Sequence, residues 1–181
     1  MEIGLSKEKA EAIFNEYSDF VYKAALFLTN SKALADDITQ ETFIQVFRKY
    51  HTYDPSRDLK PWMYKIALNI TRNTLRKQKW LRFVDQLPEK SCGSSIEGSV
   101  LKNEEEKELW KEISNLSLKN KEIILLHFYS GMKLKEISDM LGIPLGTCKS
   151  RLNGALNVLR KRFPQNDFKF IGTGGDVYEP L

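Results

Sequence analysis

Several residue types that would identify particular classes of protein are scarce in this 181-residue chain. It has two cysteines, Cys92 and Cys148, and two histidines, His51 and His127, and no group of them has the spacing of zinc ligands. So few cysteines predict a reducing, cytoplasmic location without a disulfide framework. No apolar run is long enough to span a bilayer, and the charged first residues lack the apolar core of a secretion signal. Because no histidines and cysteines have the spacing of zinc ligands, we expect a protein with no metal, and we expect no cofactor.

The net formal charge is only +4, because 28 basic residues nearly balance 24 acidic ones, but the two signs are distributed unevenly. Residues 59–84 contain no acid and seven bases, namely Lys60, Lys65, Arg72, Arg76, Lys77, Lys79 and Arg82. Residues 83–115 contain eight acids and four bases. Residues 145–164 again contain no acid, with five bases at Lys149, Arg151, Arg160, Lys161 and Arg162. Because solvated helices usually mix the two signs, these basic segments indicate contact with phosphates.

The second basic segment belongs to a predicted helix-turn-helix at residues 134–152. Its first helix has one apolar face, formed by Leu134, Ile137, Met140 and Leu141. Gly142 can take the left-handed conformation that ends a helix, and Pro144 cannot continue it. The second helix is predicted to begin near Gly146 and Thr147, with an apolar arc of Cys148, Leu152, Ala155, Leu156, Leu159 and Phe163.

The polar residues that begin this second helix are candidates for DNA contact. They are Thr147, Lys149, Ser150 and Arg151. A recognition helix uses such N-terminal positions to reach base edges in the major groove. The alternative is an ordinary helical hairpin whose polar face is solvated.

The first basic segment predicts a helix from Pro61 to about Lys79, since proline suits the first turn of a helix. One stripe of this helix carries Trp62, Lys65, Asn69, Arg72, Asn73 and Arg76. Cations can neutralise phosphates, asparagine can pair with base edges and tryptophan can stack on an unpaired base. This combination favours partly opened DNA over a plain duplex. The alternative is a surface helix whose tryptophan lies at the edge of the core.

The remaining periodicity predicts an all-α protein of two small helical domains joined by a flexible linker. Helices are predicted over residues 7–30 and 32–49, with a polar loop at 51–60 and a turn at Asp54, Pro55 and Ser56. Helical signal resumes near Lys102, and Ser117 is a candidate N-cap for a helix over residues 118–128. The expected organisation is an N-terminal domain at 1–82, an acidic linker at 83–101, a helix-turn-helix domain at 102–163 and a disordered tail at 164–181.

Three segments together resemble the bacterial sigma factors of the sigma-70 family, specifically the small extracytoplasmic-function class. Residues 35–43, Ala-Asp-Asp-Ile-Thr-Gln-Glu-Thr-Phe, resemble its polymerase-binding helix. Residues 62–69 resemble the start of its −10 promoter helix, and residues 141–152 resemble its −35 helix-turn-helix. The last motif occurs in other bacterial regulators too, but the three in this order are specific.

The resemblance implies a role for individual residues. The residues that would dock on the clamp helices of core RNA polymerase are Asp36, Asp37, Gln40, Glu41 and Phe43. The residues that would engage the opened −10 element are Arg57, Lys60, Trp62, Lys65, Asn69, Arg72, Asn73 and Arg76, and the loop 51–59 would hold a flipped base. Thr147, Lys149, Ser150, Arg151 and Asn153 would contact the −35 duplex, and the acidic linker would follow the RNA path of the polymerase.

The sequence departs from the family at Gly154 and Leu156, where members commonly carry arginines. A glycine within a helix costs about 1 kcal/mol relative to alanine. Gly154 also has no side chain that could contact a phosphate or a base, so we expect the −35 contacts to end near Asn153.

The resemblance implies three partners, namely core RNA polymerase, promoter DNA and an anti-sigma factor, often membrane-anchored. It implies transcription initiation for a stress or envelope regulon, with no catalysis and no small-molecule substrate. The alternative is a conventional helix-turn-helix regulator with an N-terminal sensing or dimerisation domain. A nucleic-acid enzyme is a third possibility, since Asp37 and Glu41 are four residues apart and could share a metal. No further converging carboxylates or phosphate-binding glycine loop support that reading.

Overall fold

The computed structural model describes residues 5–85 and 104–163, and over these ranges the chain forms helices joined by short turns. Residues 5–85 belong to one compact unit and residues 104–163 to another. The all-α, two-part architecture with a C-terminal helix-turn-helix is therefore confirmed. Most of the predicted linker and the whole predicted tail lie outside the described residues, so the domain boundaries stay predictions.

The first unit is a bundle of three helices, α1 (Lys7–Thr29), α2 (Lys32–Lys49) and α3 (Leu59–Asp85). Serine side chains begin the first two helices, because Ser6 accepts a hydrogen bond from the Lys9 N–H at 3.3 Å and Ser31 accepts one from Leu34 at 3.4 Å. Asn30 ends α1 in the left-handed region at a φ of 53°. The turn between α1 and α2 is thus set by asparagine and serine.

The core of this unit draws on all three helices. Its buried residues are Ile13, Val21, Phe43, Val46, Met63 and Ala67. Aromatic rings extend it, with Phe14 edge-on to Phe43 at 4.9 Å between ring centroids and Phe20 edge-on to Tyr64 at 4.4 Å. Each large side chain removed from water contributes about 1.5–3 kcal/mol. This packing fixes which faces of α2 and α3 remain exposed.

Helix α3 is longer than the sequence predicted. It begins at Leu59, after the Asp58 carboxylate accepts the Lys60 N–H at 3.1 Å, and it continues to Asp85 rather than ending near Lys79. Residues 83–85, predicted as the start of the linker, are therefore helical. The reason is that no glycine or proline interrupts the chain between Pro61 and Pro88.

The second unit contains α4 (Glu104–Asn115), α5 (Leu118–Ile124), α6 (Leu134–Leu141) and α7 (Leu145–Arg162). Helix α5 continues as a π-helical turn over Leu125–Tyr129, so the predicted helix at 118–128 is present with a change of hydrogen-bond pattern. The Ser117 hydroxyl accepts the Asn120 N–H at 3.3 Å, which confirms it as the N-cap. The core is mainly aliphatic and includes Ile113, Ile123, Leu126, Ile137, Cys148, Leu152 and Leu159.

The turn between α6 and α7 is held by specific backbone and side-chain contacts. Gly142 ends α6 in the left-handed region at a φ of 65°, as predicted. The Ser138 hydroxyl donates to the Ile143 carbonyl at 2.7 Å, and the Ile143 N–H donates to the Ser138 carbonyl at 3.1 Å. Helix α7 begins one or two residues earlier than predicted, with the Cys148 N–H bonded to the Pro144 carbonyl at 3.2 Å.

Candidate nucleic-acid interface

The basic stripe predicted on α3 lies on the surface of the first unit. Lys65, Asn69, Asn73 and Arg76 are exposed, and Arg72 is half-buried. The opposite side of the helix is buried through Met63, Tyr64, Ala67, Leu68 and Thr71. Arg76 donates to the Asn73 side-chain oxygen at 3.1 Å, so these two residues orient each other before any ligand binds. The stripe can offer cations and amides along about 16 Å of helix from Lys65 to Arg76.

Trp62, at the start of the stripe, agrees in part with both interpretations of the sequence, a tryptophan at the edge of the core and one that stacks on a base. It is half-buried, because one side packs against the core cluster of the first unit. Its ring also contacts Tyr53, with 5.5 Å between centroids. Trp62 therefore lies at the edge of the core, and only its remaining exposed surface can meet a base.

The loop before α3 is held by its own polar groups. The Asp54 carboxylate accepts the Ser56 N–H at 3.0 Å and the Ser56 hydroxyl at 2.7 Å, and Arg57 pairs with it at 3.3 Å. The bonds from Ser56, together with the Arg57 charge, lower the pKa of the Asp54 carboxyl. Tyr53 donates its hydroxyl proton to the Arg57 carbonyl.

These contacts affect what the loop can offer to DNA. Burial, the nearby Tyr50 and the Asp58 charge raise the pKa of Tyr53, so its hydroxyl remains a donor. Arg57 already pairs with Asp54, although its side chain is exposed. A phosphate bound by Arg57 would therefore compete with an intramolecular carboxylate. The turn predicted at Asp54, Pro55 and Ser56 is confirmed.

The acidic face of α2 is exposed as predicted, with one exception. Asp36, Asp37, Gln40 and Glu41 are exposed, whereas Phe43 is 3% exposed and belongs to the core. Phe43 therefore does not belong to the exposed face, and the docking role of these residues stays a prediction. At about 100° per residue Phe43 lies at the edge of the buried side of α2, next to Asp36, and its packing on Phe14 accounts for its burial.

The apolar residue on the exposed face of α2 is Ile44, which the sequence reasoning missed. It is 47% exposed. At about 100° per residue it lies between Asp37 and Gln40, near the middle of the acidic face. The sequence offered one signal for the exposure of Ile44, namely its angular position on α2, which lies about 100° from that of Phe43.

A groove of about 430 Å³ lies between α2 and α3. Its lining residues are Glu41, Gln45 and Lys49 on α2 and Ile66, Asn69, Ile70, Asn73 and Thr74 on α3. Glu41, which accepts a hydrogen bond from Gln45 at 2.8 Å, comes from the acidic face, while Asn69 and Asn73 come from the basic stripe. The acidic face of α2 and the basic stripe of α3, which are separate segments in the sequence, therefore border the same groove.

In the second unit, the N-terminal half of α7 presents the predicted −35 residues around its exposed side. Lys149, Ser150 and Asn153 are exposed, and Thr147 and Arg151 are half-buried. On a helical projection Lys149 and Arg151 flank the exposed face, with Ser150 between them. Two cations on either side of a polar centre match the phosphates on either side of a groove. The Ser150 hydroxyl donates to the Thr147 carbonyl at 3.0 Å, so its oxygen is left chiefly as an acceptor for a ligand.

The two departures from the family differ in their surroundings. Leu156 is 4% exposed and belongs to the core, whereas Gly154 is exposed. A Cβ atom added at Gly154 would have no atom within 4 Å. Gly154 therefore leaves a smooth surface beside Ser150, and Leu156 contributes packing rather than a contact surface.

Two residues of α7 have structural roles, one of which, that of Arg162, the basic pattern concealed, while the other, that of Cys148, agrees with the predicted apolar arc. Arg162 pairs with Glu112 of α4 at 3.2 Å, so it joins the end of α7 to the rest of its unit. Cys148 is fully buried, and burial raises the pKa of its thiol despite the opposing effect of Arg151. Cys148 therefore packs as a small hydrophobic residue.

The described ranges 5–85 and 104–163 contain no group of three histidine, cysteine, aspartate or glutamate residues that could hold a metal ion. Asp37 and Glu41 thus have no third ligand there. Among the same residues, no helix is both long and apolar enough to cross a membrane.

Comparison with known proteins finds two matching families, one for each unit. Residues 13–81 match sigma-70 region 2, and residues 106–158 match sigma-70 region 4. The extracytoplasmic-function sigma factor SigW of Bacillus subtilis is 28% identical over 83% of this chain and 86% of its own length. SigM of the same organism is 29% identical over 78% of this chain and 87% of its own length.

Solved structures show the same fold. The sigma factor RpoE of Bartonella quintana, solved with the anti-sigma factor NepR, has a TM-score of 0.71 and 22% identity, covering 86% of this chain and 97% of that one. CnrH, solved with the cytosolic domain of CnrY, has a TM-score of 0.64 and 18% identity, covering 90% of this chain and 92% of that one. At these identities the likeness concerns the fold.

A basic stripe on α3, a polar N-terminal half of α7 and one matching region in each unit are together typical of a two-part promoter-binding protein. The chain belongs to the sigma-70 family of RNA polymerase sigma factors, in the extracytoplasmic-function class. Its function is to bind core RNA polymerase and direct it to promoters for transcription initiation, and it is not an enzyme.

Proposed function

We propose that the exposed faces described above divide the work of initiation among three surfaces of this chain. The acidic face of α2 binds core polymerase, the α3 stripe engages the opened −10 element, and the N-terminal half of α7 reads the −35 duplex. The observation that carries this proposal is the exposed, acid-free stripe of α3, which adjoins the acidic face across a shared groove.

The polymerase-binding surface consists of Asp36, Asp37, Gln40 and Glu41, with Ile44 at its centre. An exposed isoleucine surrounded by acids supplies both an apolar contact and a charged rim, a common arrangement at protein interfaces. Phe43 supports this surface from the core by packing against Phe14.

The −10 surface consists of Lys65, Asn69, Arg72, Asn73 and Arg76, with Lys60, Arg57 and Trp62 at its start. Melting needs no chemistry by the protein, because capture of unpaired bases shifts the duplex equilibrium towards the open state. Asn69 and Asn73 line the groove together with Ile66 and Ile70, and this combination of amide and apolar side chains suits a base turned out of the stack.

The −35 surface consists of Thr147, Lys149, Ser150, Arg151 and Asn153. The flanking cations bind phosphates and fix the position of α7, while Ser150 and Asn153 face the base edges. Because Gly154 bears no side chain, the contacts end near Asn153.

The chain acts in the cytoplasm, where it serves a stress or envelope regulon and is held inactive by an anti-sigma factor. Supporting this, the structures of RpoE and CnrH named above each include a second protein, NepR and CnrY, and NepR is an anti-sigma factor. The exposed acidic and apolar face of α2 offers such a regulator a surface that also binds polymerase.

The test is binding of the purified chain to purified core RNA polymerase, followed by transcription from the DNA upstream of its own gene. We expect tight binding and a defined transcript, whose start gives the first promoter sequence. Duplex binding without polymerase binding would instead indicate a conventional helix-turn-helix regulator and would contradict the assignment of the α2 face.

A further inference from the structure

One buried serine holds both polar backbone groups of a residue in the turn before α7. Ser138 lies in the last turn of α6 and is 7% exposed. Its hydroxyl donates to the Ile143 carbonyl at 2.7 Å, and its own carbonyl accepts the Ile143 N–H at 3.1 Å. The Gly142 N–H donates to the same Ser138 carbonyl. The turn is therefore bonded to α6 through one residue, and the side chain of that residue takes part.

The direction in which α7 leaves the turn depends on the peptide between Ile143 and Pro144. Pro144 directly precedes α7 at a φ of −57°, an angle that its ring restricts, and it has no side chain that could cap the helix. Its carbonyl accepts the N–H groups of Thr147 at 2.9 Å and Cys148 at 3.2 Å. Because a peptide group is planar, a bond to the Ile143 carbonyl also orients the Pro144 nitrogen. The Ser138 hydroxyl thus acts on the start of α7.

The residues that we assign to the −35 bases follow this turn closely. Thr147 and Ser150 lie within the first two turns of α7, and Asn153 lies one turn farther along. A hydrogen bond to a base edge tolerates little change in distance or angle, whereas the attraction of a cation to a phosphate falls off gradually. A small rotation of α7 about the turn would therefore weaken base contacts more than phosphate contacts. The sequence reasoning defined the turn by Gly142 and Pro144 and gave Ser138 no role.

We propose that Ser138 is a positioning residue for recognition of the −35 element. Its hydroxyl fixes the peptide between Ile143 and Pro144, and this peptide sets the direction of α7 and of its base-reading side chains. Ser138 is itself buried, so it acts through α7 rather than on the DNA. The inference rests on the proposed function of α7.

The test measures the affinity of the reconstituted holoenzyme for two probes made from the mapped promoter. The probes differ only in the −35 element, which is intact in one and scrambled in the other, so the ratio of the two affinities reports base recognition by α7. S138A should lower this ratio about fivefold, the effect of losing one hydrogen bond, and leave the affinity for the scrambled probe unchanged. Because alanine favours a helix more than serine does, the fold should persist, and hydrogen exchange should show unchanged protection of α5 and α7.

The second unit offers a matched control in another serine. The Ser130 hydroxyl donates to the Leu125 carbonyl at 3.2 Å, also across five residues, but in the turn that precedes α6. S130A removes the same chemical group and the same kind of bond without touching the turn before α7. It should leave the ratio of affinities unchanged.

Each other outcome overturns the inference in a recognisable way. An unchanged ratio in S138A would show that its hydroxyl does not position α7. An equal loss on both probes, or lower protection of α5 and α7, would make Ser138 a packing residue. An equal fall of the ratio in S130A would show that any loosened turn of this unit has the effect. The proposed function of α7 fails separately, if R151A together with N153A leaves the ratio unchanged.

Discussion

The two helices that we assign to DNA, α3 and α7, arrange the assigned residues in different ways. Helix α3 presents a stripe along its length, with its buried side formed by Met63, Tyr64 and Leu68. In helix α7 the residues that we assign to DNA lie in the first half. The second half also exposes Asn157, Arg160 and Lys161, but it is fixed through Leu159 and the pair of Arg162 with Glu112. A stripe suits a strand followed along its path, whereas a helix N-terminus suits insertion into a groove. The comparison indicates that surface geometry, more than basic charge, distinguishes the two tasks.

The largest expected effect tests whether the two units are stable independently. L152A removes a side chain that is buried in the second core and should cost about 2–5 kcal/mol of stability. Hydrogen exchange should show loss of protection in α5 and α7 with α1–α3 unchanged. V158A, at an exposed position of the same helix, is the control. Loss of protection in both units together would show that they unfold as one.

The second effect concerns the acidic face of α2, which we assign to polymerase binding rather than to DNA. Reversing its charge with D37K and E41K together should weaken polymerase binding by about tenfold or more, since like charges brought together cost several kcal/mol. Both positions are exposed, so circular dichroism should show an intact fold. The control is the same charge change on α1, E11K with D19K. Unchanged polymerase affinity in the α2 variant would remove Asp37 and Glu41 from the interface.

The third effect separates the DNA contacts of α7 from polymerase binding. R151A should lower affinity for the −35 duplex by about 1–3 kcal/mol and leave polymerase binding intact. R160A makes the same charge change farther along α7 and should have a smaller effect. A variant R151A that no longer bound polymerase would contradict the division of roles between the units.

The smallest effect refines the contrast by substituting two glycines, Gly154 within α7 and Gly142 at the end of α6. G154A should stabilise the second unit by about 1 kcal/mol, because alanine favours the helix and an added Cβ meets nothing within 4 Å. G142A should do the opposite, since the φ of Gly142 is 65° and a side chain is strained there. Thermal unfolding of the two variants provides the measurement. A loss of stability in G154A would mean that the glycine has a packing role.

The sequence alone predicted the elements that depend on local chemistry. Asn30, Ser117 and Gly142 determine where helices begin or end through their own side chains or backbone freedom, so their roles could be predicted without a partner. The same holds for the apolar arc of α7, because helical periodicity places Cys148 and Leu152 on one side. The three motifs in order were sufficient to suggest the family.

Tertiary structure decided which side chains of those helices remain accessible. Phe43 and Ile44 are neighbours in sequence, yet packing against α1 buries the first and leaves the second exposed. Trp62 lies at the edge of the core while Trp80, on the same side of α3, extends beyond it. The groove between α2 and α3, and the pairing of Arg162 with Glu112, join residues from different helices. Periodicity describes one helix at a time, whereas exposure depends on the neighbours that pack against it.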